Sequence, residues 1–244
     1  KKKIKGAEEA IKDTEKELEK IKQEGIETQA ITPVPKKQRE KKWFEHFRWF
    51  YSSQNLLVIA GRDAKTNQEV VEKYMEKNDK YFHADLKGAP HVIVKNDDKE
   101  ISEVTIEEAS QFAGMHSKAW REGLANVDVY WVKPEQVTKE APSGEYLPKG
   151  GYMITGDRTY LKVPIRAAVG WIEIEDTKIP MCGPKSAIES HSENMIEIKP
   201  GSVEKNKVAK EIKKELEKEI ERDIDIDSLM QILPPGKIMR IKSF

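Results

Sequence analysis

Aromatic residues fill six of the nine positions from Trp43 to Tyr51 (Trp43, Phe44, Phe47, Trp49, Phe50 and Tyr51), directly after Lys41 and Lys42. Rings of this kind each bury roughly 150–250 Å² when covered, so a small polar fold cannot hold the run. Either it seats an N-terminal segment on a large core, or it stands exposed with Arg48 and stacks on planar groups. The spacing favours the core. Trp43, Phe47 and Phe50 fall four and three residues apart, and Phe44 and Tyr51 seven apart, which predicts a helix apolar on more than one side and therefore buried. Arg48 and the upstream lysines, rather than the rings, are then left to face a polyanion.

A chain of 244 residues with 37% hydrophobic content can bury one sizeable core. Lys and Arg number 43, as do Asp and Glu, so any attraction for nucleic acid must come from local basic patches. The single cysteine, Cys182, excludes an internal disulfide framework and points to a reducing compartment, the cytoplasm being the expectation. No run approaches the length of roughly 18 apolar residues that a membrane helix needs, so no membrane association is expected. The sequence starts at Lys1 in what reads as mid-helix, which points to a piece of a longer polypeptide.

Ile4, Ala7, Ile11, Thr14, Leu18 and Ile21 repeat at spacings of three and four among Lys and Glu. That is a heptad seam, predicting a coiled-coil helix over 1–24 that needs a partner helix, from the same polypeptide or by self-association. Residues 25–39 form a basic, proline-containing linker, with Pro33 and Pro35 ending any helix. From 40 to 200, short strand-like runs alternate with two helices, each opened by a capping box, at Thr66–Glu69 and Thr105–Glu108. Strands are expected at 55–60, 81–84, 91–95, 127–132, 152–155, 168–174 and 195–199. The fold class is α+β: a mixed, largely antiparallel sheet core with flanking helices, preceded by the coiled-coil helix. Residues 201–244 add a charged C-terminal helix with Val208, Ile212, Leu216 and Ile220 on one stripe, which can lie on the domain or on a partner, and a short tail.

Candidate chemistry is sparse. His83, Asp85, His91 and Cys182 lack the spacing of a metal site, Ser52, Ser53 and Ser117 lack a nucleophile-elbow context, and the glycines form no phosphate loop. No catalytic residue, metal or cofactor is expected. What remains are polar and basic tips on loops held by a sheet: Gly61-Arg62-Asp63, Asp85-Leu86-Lys87-Gly88, Ser117–Arg121 and Pro142–Gly151.

Together, Trp43–Phe50, Gly61-Arg62-Asp63 with Asn67, His83–Val92, the Ser110–Trp120 helix and Ala141–Tyr146 resemble, in order, the archaeal and eukaryotic branch of the NFACT family of ribosome-quality-control factors. The resemblance implies that 40–200 is the RNA-binding region called NFACT-R and that 1–24 is the returning helix of a coiled-coil arm. It further implies partners: the large ribosomal subunit with its rRNA, and tRNA, in support of alanine tailing of stalled nascent chains, without enzymatic activity of its own. Phosphate contacts are then expected from Lys36, Lys37, Arg39, Lys41 and Lys42, with Arg48, Arg62, Lys87, Lys118, Arg121 and Lys149 on the domain surface. Asp63, Asn67, Asp85 and Gly88 are expected to hold loop geometry, and His83 and His91 to serve either end. The alternative is a protein-interaction or dimerisation module acting through the coiled coil and the C-terminal helix.

Overall fold

The aromatic run is a strand rather than a helix. In the computed structural model, Trp43–His46 make a single 3-10 turn, closed where the Glu45 carboxylate accepts the Lys42 amide at 2.7 Å. The backbone then extends, and Arg48–Tyr51 form β1. Helical spacing misleads here because nearly every position is apolar, so any period finds matches, while aromatic residues intrinsically favour strands. Both faces of β1 are covered: Trp49 and Phe50 are each buried although they point oppositely. Trp43 alone of the six remains largely exposed, stacked on Tyr74 with ring centroids 4.7 Å apart.

The structure describes residues 15–16, 40–96, 98–140, 147 and 150–241. The expected coiled-coil helix, apart from Glu15 and Lys16, and the linker at 25–39 lie outside them. Residues Lys42–Phe244 form one compact unit.

Its first layer is an all-antiparallel sheet of six strands, β1, β2 (Leu57–Ala60), β3 (Lys80–Ala84), β4 (Val92–Val94), β5 (Asn126–Val132) and β8 (Thr159–Pro164), in the order β1-β2-β4-β3-β5-β8. Helix α2 (Glu103–Met115) packs across one face of it, with Phe112 against Phe50 at 4.7 Å. Strands β6 (Val137–Thr138) and β7 (Met153–Ile154) pair separately. The second sheet runs β10-β9-β11-β12, from Thr177–Gly183, Ala167–Ile174, Ile196–Val203 and Ile238–Arg240. The two sheets meet at β1: the Phe50 ring lies within 3.3 Å of where a Cβ on Gly183 would sit, and the Tyr51 amide donates to the Met181 sulfur. Buried Glu108 of α2 fastens the seam, accepting from the Ser53 amide at 3.0 Å and the Ser186 hydroxyl at 2.8 Å.

Helices α4 (Lys185–His191), α5 (Lys205–Ile220) and α6 (Ile226–Ile232) dress the second sheet. The stripe of Val208, Ile212, Leu216 and Ile220 is buried against it, so this helix spends its apolar face on its own domain.

Two helices are capped three residues earlier than the boxes at Thr66 and Thr105 predict. Helix α1 (Ala64–Glu69) is capped by Asp63, which accepts the Thr66 amide at 2.8 Å, and α2 by Ser102, which accepts the Thr105 amide at 3.2 Å. Thr66 and Thr105 are N3 residues whose amides an upstream acceptor satisfies. After Met115 the chain breaks at His116 and restarts as the short α3 (Lys118–Arg121), capped by Ser117. Strands β8 and β10 and helix α4 have no counterpart among the elements expected from sequence. In β10, Pro180 disguises a strand that it can occupy only because β10 is an edge. Among the described residues, no helix is long and apolar enough to cross a membrane.

Candidate nucleic-acid interface

Three loops converge on His91. The Asn67 side-chain oxygen accepts the His91 amide at 3.1 Å, and the Gly61 amide donates to the His91 carbonyl at 3.2 Å. Gly61 has no substitute there, because a Cβ would lie 2.0 Å from that same Asn67 oxygen. The His91 Nε2 faces the Gly150 carbonyl at 2.7 Å. A carbonyl only accepts, so Nε2 carries the proton and Nδ1 accepts from the Tyr81 hydroxyl. His83 likewise donates from Nε2 to the Ala89 carbonyl at 3.2 Å. Burial holds both imidazoles neutral: the pKa of His83 falls to about 4 through desolvation and the neighbouring His91, and that of His91 is lowered by desolvation. Between them Gly88, at φ +79°, turns the chain, and the Asp85 amide donates to the Asp128 carbonyl at 2.8 Å. Asp63, whose carboxyl is held below its usual pKa by the amide it caps, lies at the start of α1.

This cage fixes one end of an open sheet face. Residues directly opposite in antiparallel strands share a face, and the register aligns His83 with Tyr130 and Tyr130 with Tyr160. Val127 and Val163 lie on the opposite face, beneath α2 at Gly114. Tyr130 is buried between His83, at 5.9 Å, and Tyr160, at 5.7 Å edge-on, while the Arg158 guanidinium lies 4.7 Å from the Tyr130 ring centre. Desolvation, the largest cause, pushes the Tyr130 hydroxyl up to about 12, so it stays a neutral donor. Tyr160 is 51% exposed. Lys162, opposite Asp128, continues the row. At the caged end, a Cβ on Gly88 would lie 4.0 Å from Lys118 Cε, bringing exposed Lys87 and Lys118 to the same rim. An exposed ring, a guanidinium plane and flanking ammonium groups form the combination that stacks on an unpaired base and neutralises its phosphates.

The contacts expected from sequence divide. Lys36, Lys37, Arg39 and Lys149 lie outside the described residues. Lys41 is exposed, and Lys42 is ion-paired with Glu175. Lys87, Lys118 and Arg121 are on the surface. Arg48 and Arg62 turn inward instead: Arg48 donates to the Gly61 carbonyl at 2.6 Å, and Arg62 to the carbonyls of Glu45 and Phe47 and to Gln231. Carbonyls left over at the 3-10 turn recruit the Arg62 fork, and the carbonyl just past β2 recruits Arg48. Tyr130, Arg158, Tyr160 and Lys162 are not among the expected contacts. Their signal is Arg158, Tyr160 and Lys162 at a spacing of two, which on a strand is one face.

A family model described as NFACT protein RNA binding domain matches residues 46–156, which hold β1 to β7, the His83–His91 cage and Tyr130. The chain carries an NFACT RNA-binding domain. It is 42% identical over 200 residues to the archaeal Rqc2 homolog aRqcH of Methanocaldococcus jannaschii, covering 81% of this chain and 29% of that protein. It is 42% identical over 159 residues to the ribosome quality control complex subunit NEMF of Homo sapiens, covering 65% of this chain and 14% of that protein. The chain thus spans less than a third of the length of either relative. Among solved structures, the C-terminal part of a fibronectin/fibrinogen-binding protein from Streptococcus suis gives a TM-score of 0.43 at 20% identity, over 72% of this chain and 61% of that one, too slight a likeness to argue from. Arg158, Tyr160 and Lys162 follow directly on the stretch that the NFACT-R model matches.

Proposed function

We propose that this chain is the RNA-recognition part of an Rqc2/NEMF-type factor that binds obstructed large ribosomal subunits and tRNA in the cytoplasm and supports C-terminal tailing of stalled nascent chains. On this reading it performs no bond chemistry itself, and peptidyl transfer is left to the ribosome. The observation that carries the reading is the open face of an NFACT-R sheet bearing Tyr130, Arg158, Tyr160 and Lys162, with Lys87 and Lys118 at its rim. The absence of chemistry has its own support. The Cys182 thiol is buried and pushed up to about 12 by desolvation, and His83 and His91 are held neutral in structural hydrogen bonds.

RNA contacts on this face combine stacking, which salt does not touch, with phosphate neutralisation, which salt weakens. Binding of tRNA and of single-stranded rRNA fragments, followed across a salt series, tests the proposal. Affinity falling with salt and falling again on Arg158→Ala is the expected result; no binding at low salt overturns it. The dimerisation reading loses one of its two supports, because the α5 stripe is buried within the domain.

A further inference from the structure

Around His116, at the C-terminal end of α2, lies a concentration of positive charge that RNA stacking does not use. Arg48 opens β1 and Arg62 follows β2, and each is anchored to backbone carbonyls around Gly61 and Phe47. Lys205 opens α5 and donates to the Leu233 carbonyl at 3.1 Å, and Arg62 reaches Gln231 of α6 at 2.9 Å, so the two sheets and α6 bring these cations together. Arg121 of α3 adds a fourth. Asp63 is a carboxylate that faces Arg48 and Arg62, but its side chain is engaged in capping α1. Cys182, beside Lys205, is a neutral thiol.

Beside Arg48, Lys205 and Arg62 lies His116, 4% exposed, with neither ring nitrogen hydrogen-bonded; the buried Arg62 Nε has no partner either. Buried polar atoms without partners are uncommon and costly, and like charges gathered away from water repel one another. Desolvation, and after it this mutual repulsion, pulls Lys205 down to about 8 and Arg48 to about 10, both still mainly charged at neutral pH. Arg121, at the exposed end of the cluster, also lines a cavity of about 360 Å³ with Trp120, Gly201, Gly236 and Lys237; Arg48, Arg62, His116 and Lys205 lie outside that lining. Lys237, in the cavity lining, is paired with exposed Glu204.

We propose that this cluster binds a phosphate group, reached from the solvent side at Arg121 and held by Arg48, Arg121, Lys205 and the His116 ring. A phosphate oxygen supplies the acceptor that the N–H of the neutral His116 ring and the Arg62 Nε lack, and its charge removes the repulsion. Helix N-termini favour anions in the same way, and Lys205 is the first residue of α5. The site stands apart from the sheet face, so it holds whether or not that face binds RNA. The phosphate is either free or part of a nucleic-acid backbone, a difference that competition resolves.

The test is titration of the 244-residue chain with inorganic phosphate at constant ionic strength in chloride, following the His116 ring nitrogens by NMR and binding by calorimetry. Saturable movement of the His116 signals is expected, with affinity weakened about tenfold by Arg121→Gln and again by Lys205→Gln, the loss typical of one charge-assisted hydrogen bond. Arg121 is exposed, so its replacement keeps the test open if the Lys205 variant fails to fold. Unmoved His116 signals overturn the proposal. So does movement that is identical in the Arg121→Gln chain, which marks an adventitious ion only. Single-stranded RNA that displaces phosphate from His116 identifies a backbone phosphate as the ligand, and RNA that binds without displacing it identifies a free anion. Loss of RNA affinity in Tyr160→Ala with phosphate binding intact leaves this site standing alone.

Discussion

Replacing Tyr160 by alanine separates stacking from charge in RNA binding. The ring is 51% exposed and its aromatic neighbour is Tyr130, edge-on at 5.7 Å. Losing such a cross-strand pair costs about 0.2–1 kcal/mol, a fall in Tm of about 0.4–4 °C for a domain of this size. Losing a stacked base costs about 1–3 kcal/mol, which is roughly a 5- to 150-fold loss of affinity. A phenol neutralises no phosphate, so the slope of log affinity against log salt stays that of the parent chain. Lys162→Ala does the reverse: it lowers the slope by about 0.7 on a single strand, with a smaller loss at low salt. Fluorescence anisotropy with a short single-stranded RNA, over a salt series, measures both quantities for both variants. If Tyr160→Ala binds within about twofold of the parent while Lys162→Ala flattens the slope, binding is electrostatic alone and the stacking argument fails.

Three further outcomes follow from the cage and the core. Gly61→Ala drives a methyl into Asn67, 2.0 Å away, and breaks its bond to the His91 amide; a loss of about 2–5 kcal/mol is expected in urea unfolding, and parent-like stability would show the cage to be dispensable. Lys95→Met leaves Asp79, 2% exposed at its side chain, without the ammonium at 2.7 Å; the expected cost is about 3–5 kcal/mol, read as a lowered urea midpoint. Acid should weaken the fold. His83, His91 and His116 have folded pKa values below the ordinary 6.5, so the unfolded chain binds more protons and stability rises with pH. That stability is full above about 6.5 and is lost as pH falls toward about 4, His83 accounting for roughly 3 kcal/mol at most. Urea midpoints that are level from neutral pH to below 5 would refute the assignment of buried neutral rings.

Short runs of β-branched and aromatic residues bounded by turns make β2 to β5 legible in the sequence, and Gly88 announces its turn. The strands that stay hidden do so for definite reasons. In β1 six aromatics crowd nine positions and erase the period; β10 carries Pro180; β8 shows exposed residues on its outer half and little of the apolar alternation that marks a strand. Among the candidate contacts, the surface positions of Lys87 and Lys118 are legible because one stands in a Gly-containing turn and the other opens a short helix after Ser117. Arg48 and Arg62 are not, because a sequence carries the sign of a charge and not whether water or a carbonyl surrounds it. Tyr130 is legible only as a strand residue, since its role depends on Arg158 and Tyr160 meeting it across a pairing that local pattern does not encode.

Phe50 touches Phe112 in one layer and Gly183 in the other, so β1 serves as a party wall. A recombinant piece trimmed to residues 46–156 would strip one side of that wall to solvent and leave Glu108 without Ser186. It would also bare the long edge of β5, which Thr159–Pro164 now cover, and an uncovered edge of that length invites aggregation. The smallest portable unit therefore reaches well past the segment that carries the recognisable motifs, and binding experiments on shorter pieces would be measuring a different surface.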